Sequence, residues 1–141
     1  MNLEEAWDIL QKNSFKRTKN RELILEYFMA HDRYITALEV RNELVKDNPG
    51  LSYDTIYRNL ATFAELSILE ETELNGERHF RMQCDVESHH HHFICKNCGK
   101  TEHIPFCPME MMEVTLPNHQ IIDHKFEIYG RCPECKHVEE I

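Results

Sequence analysis

No stretch of the 141 residues is apolar over the length of a membrane span, and no basic-then-apolar leader opens the sequence. There is no internal repeat and no low-complexity tract. Positive charge is scarce as well, with a formal net charge of −9. These absences argue against a membrane protein, an exported protein and a binder that holds nucleic acid by bulk charge alone. No H-E-x-x-H motif is present, so a zinc hydrolase would lack its general base. The hydrophobic fraction is 41%, and aliphatic residues thin out in the second half, which is too poor in them to fold well unaided. The length suits one ordinary domain or two small ones.

What the chain has instead is cysteine and histidine. Six cysteines without an export signal indicate cytoplasmic, reduced, metal-binding thiols. Cys95-Lys-Asn-Cys98 and Cys132-Pro-Glu-Cys135 form two knuckles that together supply the thiolates of a tetrahedral zinc site. Residues 99 to 131 between them exceed a minimal zinc ribbon, so a helix or strand is expected in that loop. Upstream, His89-His90-His91-His92 runs into Phe93-Ile94, and one strand is expected from His89 to Cys95. Side chains alternate across a strand, so His90 and His92 share one face while His89 and His91 share the other. Each pair has ligand spacing and could serve a separate metal if other ligands join it. The plainer alternative is a solvated polar strand.

The first eighty residues follow a different pattern. Leu3, Ala6, Trp7 and Leu10 make a helical stripe. Phe15-Lys16-Arg17-Thr18-Lys19-Asn20-Arg21 is the one dense basic cluster, either a solvated face or a contact to phosphates. Thr18 is expected to cap a second helix with Leu23, Ile24, Tyr27 and Phe28 inward. Thr36-Ala-Leu-Glu39 reads as a capping box opening a third helix, and Ser52 caps a fourth. Ile56, Leu60 and Phe63 line the buried side of that fourth helix. Its opposite side offers Thr55, Arg58 and Thr62 with Tyr57 at the border, a face able to read bases and phosphates in the major groove. Asn75-Gly76 predicts a type I′ hairpin pairing Glu70 with Arg81 and Glu73 with Arg78. Helix–turn–helix followed by a hairpin is a winged helix, expected to end just before Cys84.

Beyond Cys84, a strand is expected over Thr101 to Ile104. A short helix should follow Cys107-Pro108, and His124 to Tyr129 alternates as a strand.

Taken together, Asp54-Thr-Ile-Tyr57-Arg58-Asn-Leu60, the four-histidine strand into Cys95-x-x-Cys98-Gly, Tyr129-Gly130 and Cys132-x-x-Cys135 resemble the ferric uptake regulator family. The zinc uptake regulator branch is the more similar part of it. The resemblance covers nearly the whole chain and implies an α+β fold. An N-terminal winged helix-turn-helix domain (residues 1–83) would precede a small α/β dimerisation domain with a four-cysteine zinc site (residues 84–141). It implies a homodimer that binds palindromic double-stranded operator DNA when zinc-loaded and represses zinc uptake genes, with no enzymatic activity, no membrane association and no small-molecule substrate other than the metal ion.

Carried over by position, Cys95, Cys98, Cys132 and Cys135 would hold structural zinc. Glu70, Cys84, His90 and His92 would form the regulatory zinc site, and His89, His91, Glu110 and His124 a third site. Glu70 stands where relatives often carry Asp, and Arg81 already faces it. Lys16, Arg21, Ser52, Thr55, Tyr57 and Arg58 would meet DNA. Iron- and peroxide-sensing members commonly place a histidine in the loop before the third helix, where this chain reads Arg33-Tyr34-Ile35. That departure and the soft donor Cys84 favour zinc over Fe²⁺ or Mn²⁺. The alternative is a ferrous-iron- or peroxide-sensing repressor. Cys107 and His31, His79, His103, His119 and His137 receive no role.

Overall fold

The computed structural model describes residues 1–83 and 91–137, apart from the Glu110 side chain. It divides into two compact units, Met1–Asp85 and Val86–Ile141, where the sequence suggested a division after residue 83.

Local capping signals start every long helix of the first unit. Asn2 accepts the Glu5 N–H and opens α1 (Leu3–Lys12), a cap not anticipated from sequence. Thr18, Thr36 and Ser52 do the same for α2 (Lys19–Ala30), α3 (Ala37–Leu44) and α4 (Tyr53–Glu65), each accepting the N–H three residues on. The box at Thr36 is only half formed. Glu39 N–H donates to the Thr36 hydroxyl, but the Glu39 carboxylate accepts from that hydroxyl and from Arg33. Leu10, Ile24, Leu25, Phe28, Val40, Ile56, Leu60, Phe63 and Phe80 meet in one core. On α2 the fully buried leucine is Leu25, not the expected Leu23, which is only half-buried. The difference is a shift of the stripe around the helix, as Leu25 with Phe28 and Ile24 completes the inward arc.

The wing is an antiparallel pair, β1 (Leu69–Leu74) and β2 (Glu77–Met82), in the expected register. Asn75 and Gly76 both take positive φ, 53° and 81°, as a type I′ turn requires. Leu69, Phe80 and Met82 share the buried face. A two-way backbone bridge between Ile35 and Phe80, at 2.7 and 2.8 Å, ties the loop before α3 to β2.

The second unit is a three-stranded sheet in the order β4-β3-β5, with β3 (His91–Cys95) central. β4 (Thr101–Ile104) pairs with it antiparallel and β5 (Glu127–Gly130) parallel. The left-handed Gly99, φ 78°, turns the chain after the first knuckle. Between β4 and β5 in sequence lies α5 (Met109–Thr115), with Pro108 at its cap position. β5 begins three residues later than the strand expected from His124, because Glu127 is the residue opposite His92. The His124 and Phe126 rings instead pack against His91. Among the described residues no helix is long and apolar enough to cross a membrane.

Candidate metal centres and nucleic-acid face

The end of β3 delivers Cys95, the turn after it Cys98, and the segment after β5 Cys132 and Cys135. Parallel pairing sets Cys95 opposite Gly130, which brings the second knuckle beside the first. All four sulfurs lie within 4.8 Å of one another. Sulfurs each about 2.3 Å from one zinc ion stand about 3.8 Å apart at the corners of a tetrahedron. Cys98 Sγ and Cys132 Sγ are 3.8 Å apart. The donor set and its spacing therefore fit zinc, and these four residues would hold it, linking the two knuckles into one folded unit.

The surroundings favour thiolate at one corner. Burial opposes ionisation of Cys95, but N–H groups of Cys132, Cys98 and Asn97 outweigh it and bring its thiol down to about 6. Burial pushes Cys98 up to about 12. Cys95 thus ionises readily, whereas Cys98 would need a bound cation to lose its proton. The Asn97 amide donates to Cys135 Sγ at 3.1 Å, an outer contact that sequence alone did not indicate.

Of the residues expected in two further centres, Cys84, His89 and His90 lie outside the described residues, as does the Glu110 side chain. His92 opens onto the β4 side, its ring edge-on to cross-strand His103 at 5.1 Å. Glu70, in the wing, accepts from Arg81 at 3.3 Å, and Arg81 also donates to Asp32 at 2.6 Å. Burial works against the Arg81 charge, yet the Asp32 hydrogen bond and the Glu70 charge outweigh it and keep its pKa above that of an ordinary arginine. His91 and His124 do come together, with ring centroids 5.2 Å apart. Cys107, which received no role from the sequence, stands with them. Only its place three residues before Glu110 could have drawn attention to it.

On the polar side of α4 Arg58 is exposed, whereas Thr55, Tyr57 and Thr62 are half-buried. Arg58 reaches solvent, its side chain 77% exposed, and pairs with its neighbour Asp54 one turn back. Ser52 caps the helix by accepting the Thr55 N–H at 3.2 Å, and its hydroxyl donates to the Thr55 hydroxyl at 2.9 Å. The Tyr57 hydroxyl accepts from Arg78 of β2, whose guanidinium also lies over the Tyr57 ring. Arg78, unmarked in the sequence reading except as a partner of Glu73, thus fastens the wing to α4 and pairs with Glu71. Lys16 is exposed, and its carbonyl accepts from Arg21, which also donates to Asn59 of α4. Arg21 therefore anchors the basic segment to α4 through its own contacts.

The profile of the ferric uptake regulator family matches residues 12–129. The ferric uptake regulation protein of Staphylococcus epidermidis is 47% identical over 136 residues, spanning 96% of this chain and 97% of that protein. Its counterpart in Staphylococcus aureus is 44% identical over 136 residues, spanning 96% and 99%. Among solved structures, the ferric uptake regulator of Helicobacter pylori superposes with a TM-score of 0.74 at 21% identity, covering 99% of this chain and 97% of that one. A zinc-bound manganese uptake regulator gives 0.67 at 19% identity, over 90% and 98%. At these identities the two structures speak for the fold.

Proposed function

Because the chain belongs to the ferric uptake regulator family, whose members are transcription regulators of metal uptake rather than enzymes and bind operator DNA as dimers, we propose that it is the zinc-responsive kind of repressor. In this reading it acts in the cytoplasm on palindromic operators of zinc uptake genes. Cys95, Cys98, Cys132 and Cys135 hold structural zinc, and Cys84, His90 and His92 with Glu70 bind the zinc that is sensed. His89, His91, Glu110 and His124 are the ligands the family pattern gives a third site.

One observation carries the choice of zinc. The loop before α3 offers no imidazole in a ligand position: Tyr34 is buried there at 4% exposure, and His31 is turned back onto α2. Its Nδ1 pairs with the Tyr27 carbonyl at 2.8 Å and its ring stacks on Tyr27 at 4.2 Å. Without a nitrogen donor from that loop, the sensing set rests on a thiol and two imidazoles, which suit Zn²⁺ better than Fe²⁺ or Mn²⁺. Glu70 is the weakest member, since binding a metal would take it from Arg81. Arg81 would still keep Asp32.

The exposed apolar residues support self-association. Phe106, Met111, Val114, Ile122 and Ile128 of the second unit are between 43% and 90% exposed, unusual for a small unit with so little core. For DNA, Arg58 and Tyr57 are the base-reading candidates, with Lys16 near the minor groove and Arg21, Ser52 and Thr55 on the backbone. Arg58→Ala should lower operator affinity by about 1–3 kcal/mol, the value of one good base contact. Its loss of stability should be small, because the exposed one-turn pair with Asp54 contributes about 0.3–0.5 kcal/mol. A gel-shift series beside a thermal melt checks both halves.

Zinc and operator should each tighten the other by the same factor, about 5- to 150-fold. An operator shift titrated with Zn²⁺, Fe²⁺ and Mn²⁺ is the decisive assay. Zinc should promote the shift at the lowest free concentration, and Cys84→Ser should abolish the response while leaving a folded dimer. A response to Fe²⁺ ahead of Zn²⁺ would identify an iron sensor instead.

A further inference from the structure

We infer that His91, Cys107 and His124 form a zinc site in which Cys107 supplies a thiolate. This revises the third site of the reading above, putting Cys107 beside His91 and His124 where the family pattern has His89 and Glu110, and it holds whichever metal controls DNA binding.

Three separate segments bring these side chains to one point. His91 is the first residue of β3 and is buried, 8% exposed. Cys107 precedes the Pro108 cap of α5, and His124 lies in the irregular segment before β5. Both imidazoles present Nε2 to the same sulfur: His91 Nε2 is 3.3 Å from Cys107 Sγ and His124 Nε2 is 3.5 Å from it. The two rings meet at 62°, and Phe126 stands edge-on to His91 at 5.2 Å, restricting how that ring can turn. A sulfur about 2.3 Å and a nitrogen about 2.0–2.1 Å from one tetrahedral zinc are about 3.5 Å apart. Both sulfur–nitrogen distances match that edge, and all three donor atoms lie within 4.8 Å of one another.

A thiol bridging two imidazoles by hydrogen bonds would have similar distances, and metal binding distinguishes the two. With a sulfur among its donors the site belongs with zinc, whereas the His89, His91, Glu110 and His124 set, having only nitrogen and oxygen, would serve Fe²⁺ or Mn²⁺ as well. On binding, Cys107 loses its thiol proton to solvent and gives the sulfur lone pair to the metal. No redox step is involved.

The test uses the full-length dimer with zinc retained in the four-cysteine site and Cys84→Ser as background, so that Cys107 is the remaining thiol. Added Co²⁺ should give the near-ultraviolet thiolate-to-cobalt charge-transfer band together with tetrahedral d–d bands. Cys107→Ser in the same background should lose the charge-transfer band, and His124→Ala should weaken Co²⁺ binding at least tenfold. Metal analysis confirms that the four-cysteine zinc stays in place. Cobalt bound without a charge-transfer band, or with one that persists in Cys107→Ser, overturns the proposal. If Cys107→Ser does not fold, alkylation decides it on the Cys84→Ser protein. Added Zn²⁺ should slow iodoacetamide labelling of Cys107 at least tenfold, and unchanged labelling refutes the site.

Discussion

Cys95→Ser should leave the second unit unfolded and the protein monomeric, with the structural zinc missing from the purified chain. Among the described residues of that unit, the buried nonpolar set is little more than Ile94, Cys95, Cys132 and Cys135. The cluster around the knuckles adds only Phe93 and Cys98. So small an interior cannot offset the cost of ordering the backbone, about 1–2 kcal/mol per residue. Structural zinc sites bring about 10–16 kcal/mol at neutral pH, comparable to or larger than the whole stability of an ordinary domain, about 5–15 kcal/mol. Cys95 is also placed to accept the Cys132 N–H, so serine there disturbs the second knuckle along with the first. Metal analysis, gel filtration and near-ultraviolet circular dichroism read the three consequences. A Cys95→Ser protein that remained a dimer with an unchanged melting temperature would show that the zinc is not what holds this unit together.

Phe63→Ala should destabilise the first unit by about 3–5 kcal/mol, the usual cost of emptying a buried aromatic site. Phe63 is fully buried on α4, and its carbonyl accepts the Ile68 N–H at 2.8 Å where the chain turns toward β1. Phe63 shares its core with Phe28, Leu60 and Phe80, which cannot all close into the vacated volume without moving backbone. Urea unfolding should show a lower midpoint with an unchanged slope. DNA affinity of the folded fraction should fall little. Arg58→Ala is the reverse case, with large loss of DNA affinity and little loss of stability. Finding both effects in one variant would mean that α4 is not rigid enough to separate its two faces.

Much of the first unit was readable because its signals are local. Thr36 announces a helix by Glu39 three residues on, Thr18 and Ser52 by standing ahead of an apolar helical stripe, and Asn75-Gly76 fixes the hairpin register by turn chemistry alone. What escaped were contacts between segments distant in sequence. Arg78 reaching Tyr57, Asp32 taking a second contact from Arg81, and the Ile35–Phe80 bridge depend on how loop and wing meet. In the second unit the knuckles announced their cluster, because Cys-x-x-Cys spacing is itself a chelate geometry. Cys107 had no such companion nearby. Its neighbours His91 and His124 arrive from sixteen and seventeen residues away, through a strand order that the chain order does not reveal. The late start of β5 has the same origin: alternation shows which residues share a face but not where a parallel neighbour begins to pair.

A unit whose interior is mostly sulfur sets a hierarchy of affinities. On the zinc-sensing reading proposed above, the four-cysteine centre would have to stay filled at free zinc concentrations well below those at which any sensing ligands empty. Were the order reversed, scarcity would dissolve the sensor before it could report it. On that reading a newly made chain would have to secure one ion to exist before it could count any others.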